Sequence, residues 1–146
     1  MPSVHSYPDA SFKAGTGVNT TTAIYKAVYL SGDNEVAIYN TTTNAGKFIG
    51  ILQDYANSTG EAVPVRLAGP TKAILRAASI TAGNLVGLVN NAGEVKVSAG
   101  KVANATSGSL LVVGKCIVGS QGGTNTVCEI NLQPMLTSGI TTTVSS

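Results

Sequence analysis

The chain has 146 residues, of which 43% are apolar and 11% are charged, with a formal net charge of +2. This length suits one domain with a sizeable core, and the scattered charges argue against nucleic-acid binding, which usually needs a concentrated basic face. The first residues lack Lys, Arg and an apolar run, and no stretch approaches the roughly 20 apolar residues that span a bilayer, so we expect synthesis in a cytoplasm without export.

The first 23 residues are predicted to form an extended N-terminal arm. They are rich in Ser, Pro, Gly, Asn and Thr and follow neither a helical nor a strand period. Apolar and aromatic side chains along this segment indicate that it docks on another surface, and the candidate contact residues are Val4, His5, Tyr7 and Phe12. At the other end, residues 137–146 are uncharged and rich in Thr and Ser, which predicts a flexible tail.

Residues 24–136 are predicted to form a β-rich domain. Short apolar and β-branched runs recur about every ten residues between turn clusters, a spacing typical of strands. The best helical pattern, residues 45–53, is interrupted by Gly46 and Gly50. We therefore predict an all-β fold, either a small β-sandwich or a β-barrel. The predicted strands are 25–30, 35–40, 47–53, 61–67, 72–78, 85–89, 94–98, 110–118 and 126–132.

The domain also contains an internal repeat, which we place at about residues 24–70 and 78–134. Each copy has a strand, a small polar turn and a second strand that is followed by a proline, Pro70 or Pro134. The second strands align at three positions in each copy: Val63, Val65 and Leu67 in the first, and Cys128, Ile130 and Leu132 in the second. The fold is thus expected to consist of two similar halves, each containing a hairpin.

The second hairpin predicts its own register. If its turn is centred on Gly122, Lys115 faces Glu129 and Cys116 faces Cys128. One face of the hairpin then carries an opposite-charge pair, while the other face is apolar and includes Val118. A slip by one residue would bury a charged side chain.

Residues suited to catalysis or metal binding are few, so the chain is not expected to be an enzyme or to hold a cofactor. His5 is the only histidine and lies in the arm, and among the seven acids only Asp33 and Glu35 lie close together, beside a turn. The many Ser and Thr residues lack a base to activate them. Two alternatives remain for Cys116 and Cys128: buried reduced thiols, or a disulfide across neighbouring strands.

The order of several short motifs resembles that of the capsid cement, or head decoration, proteins of tailed bacteriophages. The resemblance covers roughly residues 25–134 and depends on the order and spacing of the motifs together, since each motif alone is short. The motifs are Phe48-Ile-Gly-Ile-Leu, Val63-Pro-Val-Arg-Leu-Ala-Gly-Pro70, Ile80-Thr-Ala-Gly-Asn-Leu-Val86, Asn91-Ala-Gly-Glu-Val95, Val113-Gly and Val127-Cys-Glu-Ile-Asn-Leu132.

This resemblance implies a structural virion protein that binds the outer surface of a phage head, often as a homotrimer. Its partner would be the major capsid protein, whose neighbouring subunits it would clamp together in the mature head. We expect the arm to add to a neighbouring sheet edge as an extended segment. The alternative is a carbohydrate-binding adhesion module of a phage tail fibre, for which five tyrosines but no tryptophan are available.

Overall fold

The computed structural model describes residues 9–39, 47–76, 79–88, 100–104, 108–122, 125–133 and 142–144. Within these residues the chain forms eleven strands and one short 3-10 helix, Thr21–Ala23, which confirms the predicted all-β fold. The strands are β1 (Asp9–Ala14), β2 (Ala27–Gly32), β3 (Glu35–Ile38), β4 (Phe48–Leu52), β5 (Ala62–Arg66), β6 (Gly69–Ile74), β7 (Leu85–Leu88), β8 (Val102–Asn104), β9 (Gly108–Val118), β10 (Val127–Leu132) and β11 (Thr142–Val144).

The first five strands form a closed barrel, which we call unit 1 (residues 9–66). The strand order is β1-β3-β2-β4-β5. Strand β1 closes the ring because it lies parallel to β3 on one side and antiparallel to β5 on the other. Closure leaves none of these five strands at a free sheet edge.

The next five strands form a second sheet, which we call unit 2 (residues 69–132). The strand order is β6-β10-β9-β7-β8, and β11 pairs with β9 at Gly108–Leu110. A single parallel bridge between Leu75 and Val102 brings β6 and β8, the two ends of this sheet, together. We call this meeting line the seam of unit 2.

Units 1 and 2 have the same topology when β1 to β5 are matched in turn with β6 to β10. In each unit the first strand is antiparallel to the fifth and meets the third in parallel, while the second strand lies between the third and the fourth. The registers agree as well: Val28 faces Gly50 in unit 1, Val86 faces Gly114 in unit 2, and a β-bulge follows each pair. Positions in the two units can therefore be matched residue by residue.

Hydrogen bonds outside the strands repeat in the same way. The N–H of Tyr25 donates to the carbonyl of Leu52 at 2.8 Å, and the N–H of Gly83 donates to the carbonyl of Cys116 at 2.8 Å. Left-handed backbone conformations also fall at matched positions. They occur at Tyr25 (φ 68°) and Gly83 (φ 93°), at Asn34 (φ 54°) and Gly100 (φ 73°), and at Gly60 (φ 91°) and Asn125 (φ 73°).

Two buried clusters form the core. The interior of unit 1 holds small and β-branched side chains such as Val28, Val36 and Val65, each 0% exposed. The second cluster fills unit 2 and continues onto the outside of unit 1, where it includes Ala27 and Ile51. The outer face of unit 1 is thus buried against the core of unit 2, while the interior of unit 1 forms a cluster of its own.

A short segment of unit 1 enters the seam of unit 2. The N–H of Ile74 donates to the carbonyl of Tyr25 at 3.2 Å, and the N–H of Ala27 donates to the carbonyl of Gly100 at 2.8 Å. The matched positions in unit 1 bond directly, since the N–H of Lys13 donates to the carbonyl of Asn34 at 2.7 Å. In unit 2, residues Tyr25–Ala27 therefore occupy the position at which unit 1 closes by a direct hydrogen bond.

The predicted register of the second hairpin is wrong. A β-bulge between Glu129 and Ile130 sets Cys116 opposite Ile130 and Lys115 opposite Asn131. This differs from the prediction by two residues, so Cys116 and Ile130 still point inward as expected. Residue Val118, predicted to point inward, is 50% exposed because the bulge turns the end of β9 outward.

The structure places part of the predicted arm inside the domain. From Asp9 onward the segment forms β1, a wall of the barrel, and Val18 is fully buried. This segment is ordered because β1 pairs with β5, and its composition alone does not reveal that pairing. Strands β8 and β11 were not predicted, and β11 lies in the segment assigned to the tail. The predicted strand at 94–98 lies outside the described residues.

Close backbone approach explains a matched pair of glycines and gives a stability prediction. A Cβ atom at Gly50 would collide with the carbonyl oxygen of Arg66, and one at Gly114 would collide with that of Asn131. Gly50→Ala and Gly114→Ala should each lower the free energy of unfolding by about 3 kcal/mol, the upper end of overpacking costs. Urea unfolding followed by circular dichroism measures this change.

Gly32→Ala is the matched control, because a Cβ at Gly32 meets its nearest neighbour, Oε1 of Glu35, at 3.6 Å. This control should change the free energy of unfolding by less than about 1 kcal/mol. Equal unfolding midpoints for Gly114→Ala and Gly32→Ala would contradict the close approach.

Candidate interaction surface

Strand alternation in unit 2 sorts its side chains into an inner and an outer set. Along β10 every second residue is buried, so Cys128, Ile130 and Leu132 point inward while Val127 and Glu129 point outward. The inner set completes the core of unit 2. The outer set covers a broad sheet face.

Among the residues that the structure describes, four large apolar side chains are strongly exposed, and all of them belong to this sheet. They are Leu85 (42%), Ile117 (45%), Val118 (50%) and Val127 (43%). We call the outer surface formed by Leu85, Lys115, Ile117, Val118, Val127, Glu129 and Asn131 the open face. An exposed apolar patch bordered by polar residues is typical of a protein interaction site.

A wide, shallow cavity of about 560 Å³ lies on the open face. Its lining residues come from β6, β9 and β10 and from the turn before β7: Pro70, Ala82, Gly83, Lys115, Cys116, Ile117 and Asn131. Among the described residues of this lining, Lys115 is the only charged side chain, and none is a histidine or a carboxylate. The lining therefore offers contact area and one positive charge rather than an acid–base pair.

Part of the matched surface of unit 1 is covered by unit 2, although Asp54 and Ala62, which match Val118 and Val127, are exposed in unit 1 as well. Leu85 and Lys115 correspond to Ala27 and Ile51, which are 0% exposed. Ile117 corresponds to Gln53, whose side-chain amide donates to the hydroxyl of Thr71 in β6 at 2.8 Å. The same position on two equivalent units is thus an interface in one and an exposed face in the other.

A smaller cavity of about 240 Å³ lies where the units meet. Tyr25 and Gln53 line it from unit 1, and Lys72 and Glu129 line it from unit 2. The ammonium of Lys72 lies 5.9 Å from the centroid of the Tyr25 ring, within the range of a cation–π contact. The left-handed conformation of Tyr25 is unusual for a bulky residue, and it is held here by backbone bonds on both sides.

An ion pair holds the start of β1 at this junction. Nε and Nη2 of Arg66 donate to the two carboxylate oxygens of Asp9 at 2.7 and 3.1 Å, and Nη1 donates to the carbonyl of Pro70 at 2.8 Å. One guanidinium group thus bridges β1, β5 and the first residues of unit 2.

Two lysines lie close together at the same junction. Burial lowers the pKa of Lys26, and the charge of Lys101 lowers it further. Burial also lowers the pKa of Lys101, which is 8% exposed. Both shifts show that the protonated lysines are less favourable here than in water, so this contact between the units includes a like-charge pair.

Both cysteines are free and buried, as the reduced-thiol alternative predicts. Burial, followed by the neighbouring Cys116, raises the pKa of Cys128 to about 11. Burial also raises the pKa of Cys116. A thiol that resists ionisation is a poor nucleophile, which argues against a catalytic role for either residue.

The sequence-predicted contact residues lie apart from the open face or outside the described part of the chain. Phe12 is half-buried in β1 against the core of unit 1. Val4, His5 and Tyr7 lie outside the described residues. The exposed residues of β7 and β9 were not predicted, because alternation alone does not tell which face of a sheet is covered.

Within the described ranges, no three His, Cys, Asp or Glu side chains lie close enough together to hold a metal ion. No helix in the same ranges is long and apolar enough to cross a membrane. No protein-family model matches the sequence, and a comparison with curated proteins finds no significant match.

The raised pKa of Cys128 gives a pH prediction. A thiol whose folded pKa lies above its unfolded value of 9.0 stabilises the fold fully below about pH 9, and this contribution is lost as the pH rises to about 11. At about 1.4 kcal/mol per pKa unit, the loss is at most about 3 kcal/mol. Cys128→Val, which copies the matched Val63, should remove it.

Urea unfolding of both proteins at about pH 8 and about pH 11 measures the difference. Tyr39, Lys26 and Lys101 also titrate in alkali, but they are common to both proteins and cancel in the comparison. The stability of the variant should fall less between the two pH values than that of the parent. Equal decreases in the free energy of unfolding of the two proteins would contradict the raised pKa of Cys128.

Proposed function

We propose that the chain is a structural virion protein that binds the outer surface of a phage head and holds neighbouring major capsid protein subunits together as a homotrimer. The observation that carries the proposal is the open face, which presents four exposed apolar side chains, one of which, Ile117, lines a shallow cavity. Such a surface suits adhesion to other proteins better than chemistry on a small substrate. The motif order from Phe48 to Leu132 adds the specific resemblance to capsid cement proteins.

The low charge of the chain fits a passive structural role. With +2 net charge and lysines scattered along the sequence, long-range attraction contributes little to binding, and shape and apolar contact contribute most. Several weak contacts made at once by a symmetric oligomer give strong binding to a repetitive lattice. Binding to the mature lattice stabilises it by mass action.

The arm supplies the contact with the capsid in this proposal. Residues 1–8 precede β1 and carry Val4, His5 and Tyr7, while Phe12 is committed to the barrel. An extended segment of this length reaches about 26 Å, enough to cross several strands of a neighbouring subunit. The Arg66–Asp9 bridge holds the first residue of β1, to which the arm is joined in sequence.

A particle experiment tests the function directly. Cryo-electron microscopy and mass spectrometry of purified heads from the phage that encodes the chain should find it on the outer surface. Heads that lack the chain should lose their DNA at lower temperature. Absence of the chain from heads, or its presence only in tail fibres, would overturn the proposal.

Removal of residues 2–8 tests the arm. Because β1 begins at Asp9, the shortened chain should unfold at the same urea concentration as the parent while its occupancy on heads falls at least about tenfold, the effect of losing about 1.4 kcal/mol of binding. The matched control for length is a full-length chain that carries Val4→Ser and Tyr7→Ser. This variant should bind heads as weakly as the shortened chain. Normal occupancy of both variants would rule out an arm contact.

Salt dependence tests the nature of the contact. Release of the bound chain from heads should change little between about 0.1 and 1 M salt, because screening acts mainly on exposed charges. A steep increase in release with salt would point to electrostatic capture instead.

One observation favours carbohydrate binding as a second candidate. The junction cavity places the Tyr25 ring beside the polar groups of Gln53, Lys72 and Glu129, a combination that sugars use. A glycan array separates the two candidates, since a cement protein should give no hits and an adhesion module should give a defined set.

A further inference from the structure

We propose that the open face of unit 2 binds unit 1 of a second copy of the chain, so that the contact between units within one chain is repeated between chains. This inference rests on the proposed self-association and names the surface that produces it. It follows from the equivalence of the two units and from the different environments of their matched faces.

The first argument is that the chain already contains this kind of interface. Ala27 and Ile51 on unit 1 are fully buried, while the matched Leu85 and Lys115 on unit 2 are exposed. The face of unit 1 is buried because another unit of the same topology packs on it. On the open face Leu85 and Lys115 hold the equivalent strand positions and are left without such a cover.

The second argument is that the covering surface also has an exposed counterpart. Unit 2 covers unit 1 with β6, through Pro70, Thr71 and Lys72, and with the segment before β8 that contains Gly100 and Lys101. Every matched position on unit 1 is exposed or half-exposed. These positions are Asp9, Ala10, Ser11, Asn34 and Glu35.

The third argument is charge. Within the chain, Lys101 of the covering surface lowers the pKa of Lys26, an unfavourable like-charge contact. Between chains, the matched residues are Glu35 on the covering surface and Asn84, an exposed residue that precedes Leu85 of the open face. A carboxylate and an amide can hydrogen-bond, so this pair is better suited to contact than the lysine pair inside the chain.

One part of the internal contact is not repeated. The seam of unit 1 is closed by the bond from Lys13 N–H to the carbonyl of Asn34, so it offers no opening for a backbone segment. The contact between chains therefore depends on side chains alone. It is weaker than the internal contact, and its extent should depend on protein concentration.

A contact between two different surfaces on each copy closes into a ring or grows into a filament. In the proposed trimer this contact closes a ring of six units, in which unit 1 and unit 2 alternate. Unit 2 of each copy then faces unit 1 of the next, and every open face is covered.

Charge substitution at the matched pair tests this arrangement in the purified chain. Asn84→Glu places a second carboxylate against Glu35 and should lower the association constant at least about tenfold. Glu35→Lys in the same chain should restore association. Asp54→Lys combined with Asn84→Glu is the matched control, with the same net charge change at an exposed site on unit 1 outside the contact, and should not restore it.

Sedimentation velocity over a range of concentrations measures all four proteins, and circular dichroism checks that each is folded. Restoration by Glu35→Lys and not by Asp54→Lys is the expected result. A parent chain that stays monomeric, or a double variant Asn84→Glu/Glu35→Lys that associates no better than Asn84→Glu, would overturn the inference. Occupancy on heads is measured separately, so failure of this contact and failure of the proposed function remain distinguishable.

Discussion

The segment Tyr25–Ala27 is bonded on both sides to unit 2, through the N–H of Ile74 and the carbonyl of Gly100. The relative position of the two units depends on this insertion. It brings Ala27 and Ile51 into the core of unit 2 and requires the left-handed backbone at Tyr25. It also requires glycine at position 100, where a Cβ would lie 2.8 Å from that of Lys26. Because the insertion occupies the seam of unit 2, the two units of one topology cannot have identical surroundings.

The open face is the direct result of this asymmetry. A chain of two equivalent units, stacked in one direction, covers the face of the first unit and leaves that of the second uncovered. The sequence reflects the difference: Ile51 in the covered position is matched by Lys115 in the uncovered one, while Gln53 is matched by Ile117. The open face thus carries polar side chains, which suit a surface in contact with water, together with apolar side chains, which suit contact with another protein.

Much of the fold could be predicted from the sequence, because alternation and turn residues are local signals. The strand pairs around residues 47–67 and 110–132 and the inward set Cys128, Ile130 and Leu132 follow from period-two patterns. The register of the second hairpin could not be predicted, since a shift of two residues still leaves Cys116 and Ile130 facing inward, and no period-two pattern reveals the bulge that turns Val118 outward. The place of β1 in the barrel was missed because its order comes from pairing with β5, which lies about 50 residues further along the chain. The open face was missed for a related reason: whether an apolar outer residue is covered depends on the packing of the two units, which no local pattern records.

Hydrogen exchange of individual amides, measured by NMR on the purified chain, tests the insertion most directly. The amides of Ala27 and Ile74 should exchange as slowly as that of Leu75, whose bond to the carbonyl of Thr126 lies within unit 2. All three should then open only when the whole domain unfolds. If Ala27 and Ile74 exchange orders of magnitude faster than Leu75, the segment does not occupy the seam, and the asymmetry that leaves one face open has no physical basis.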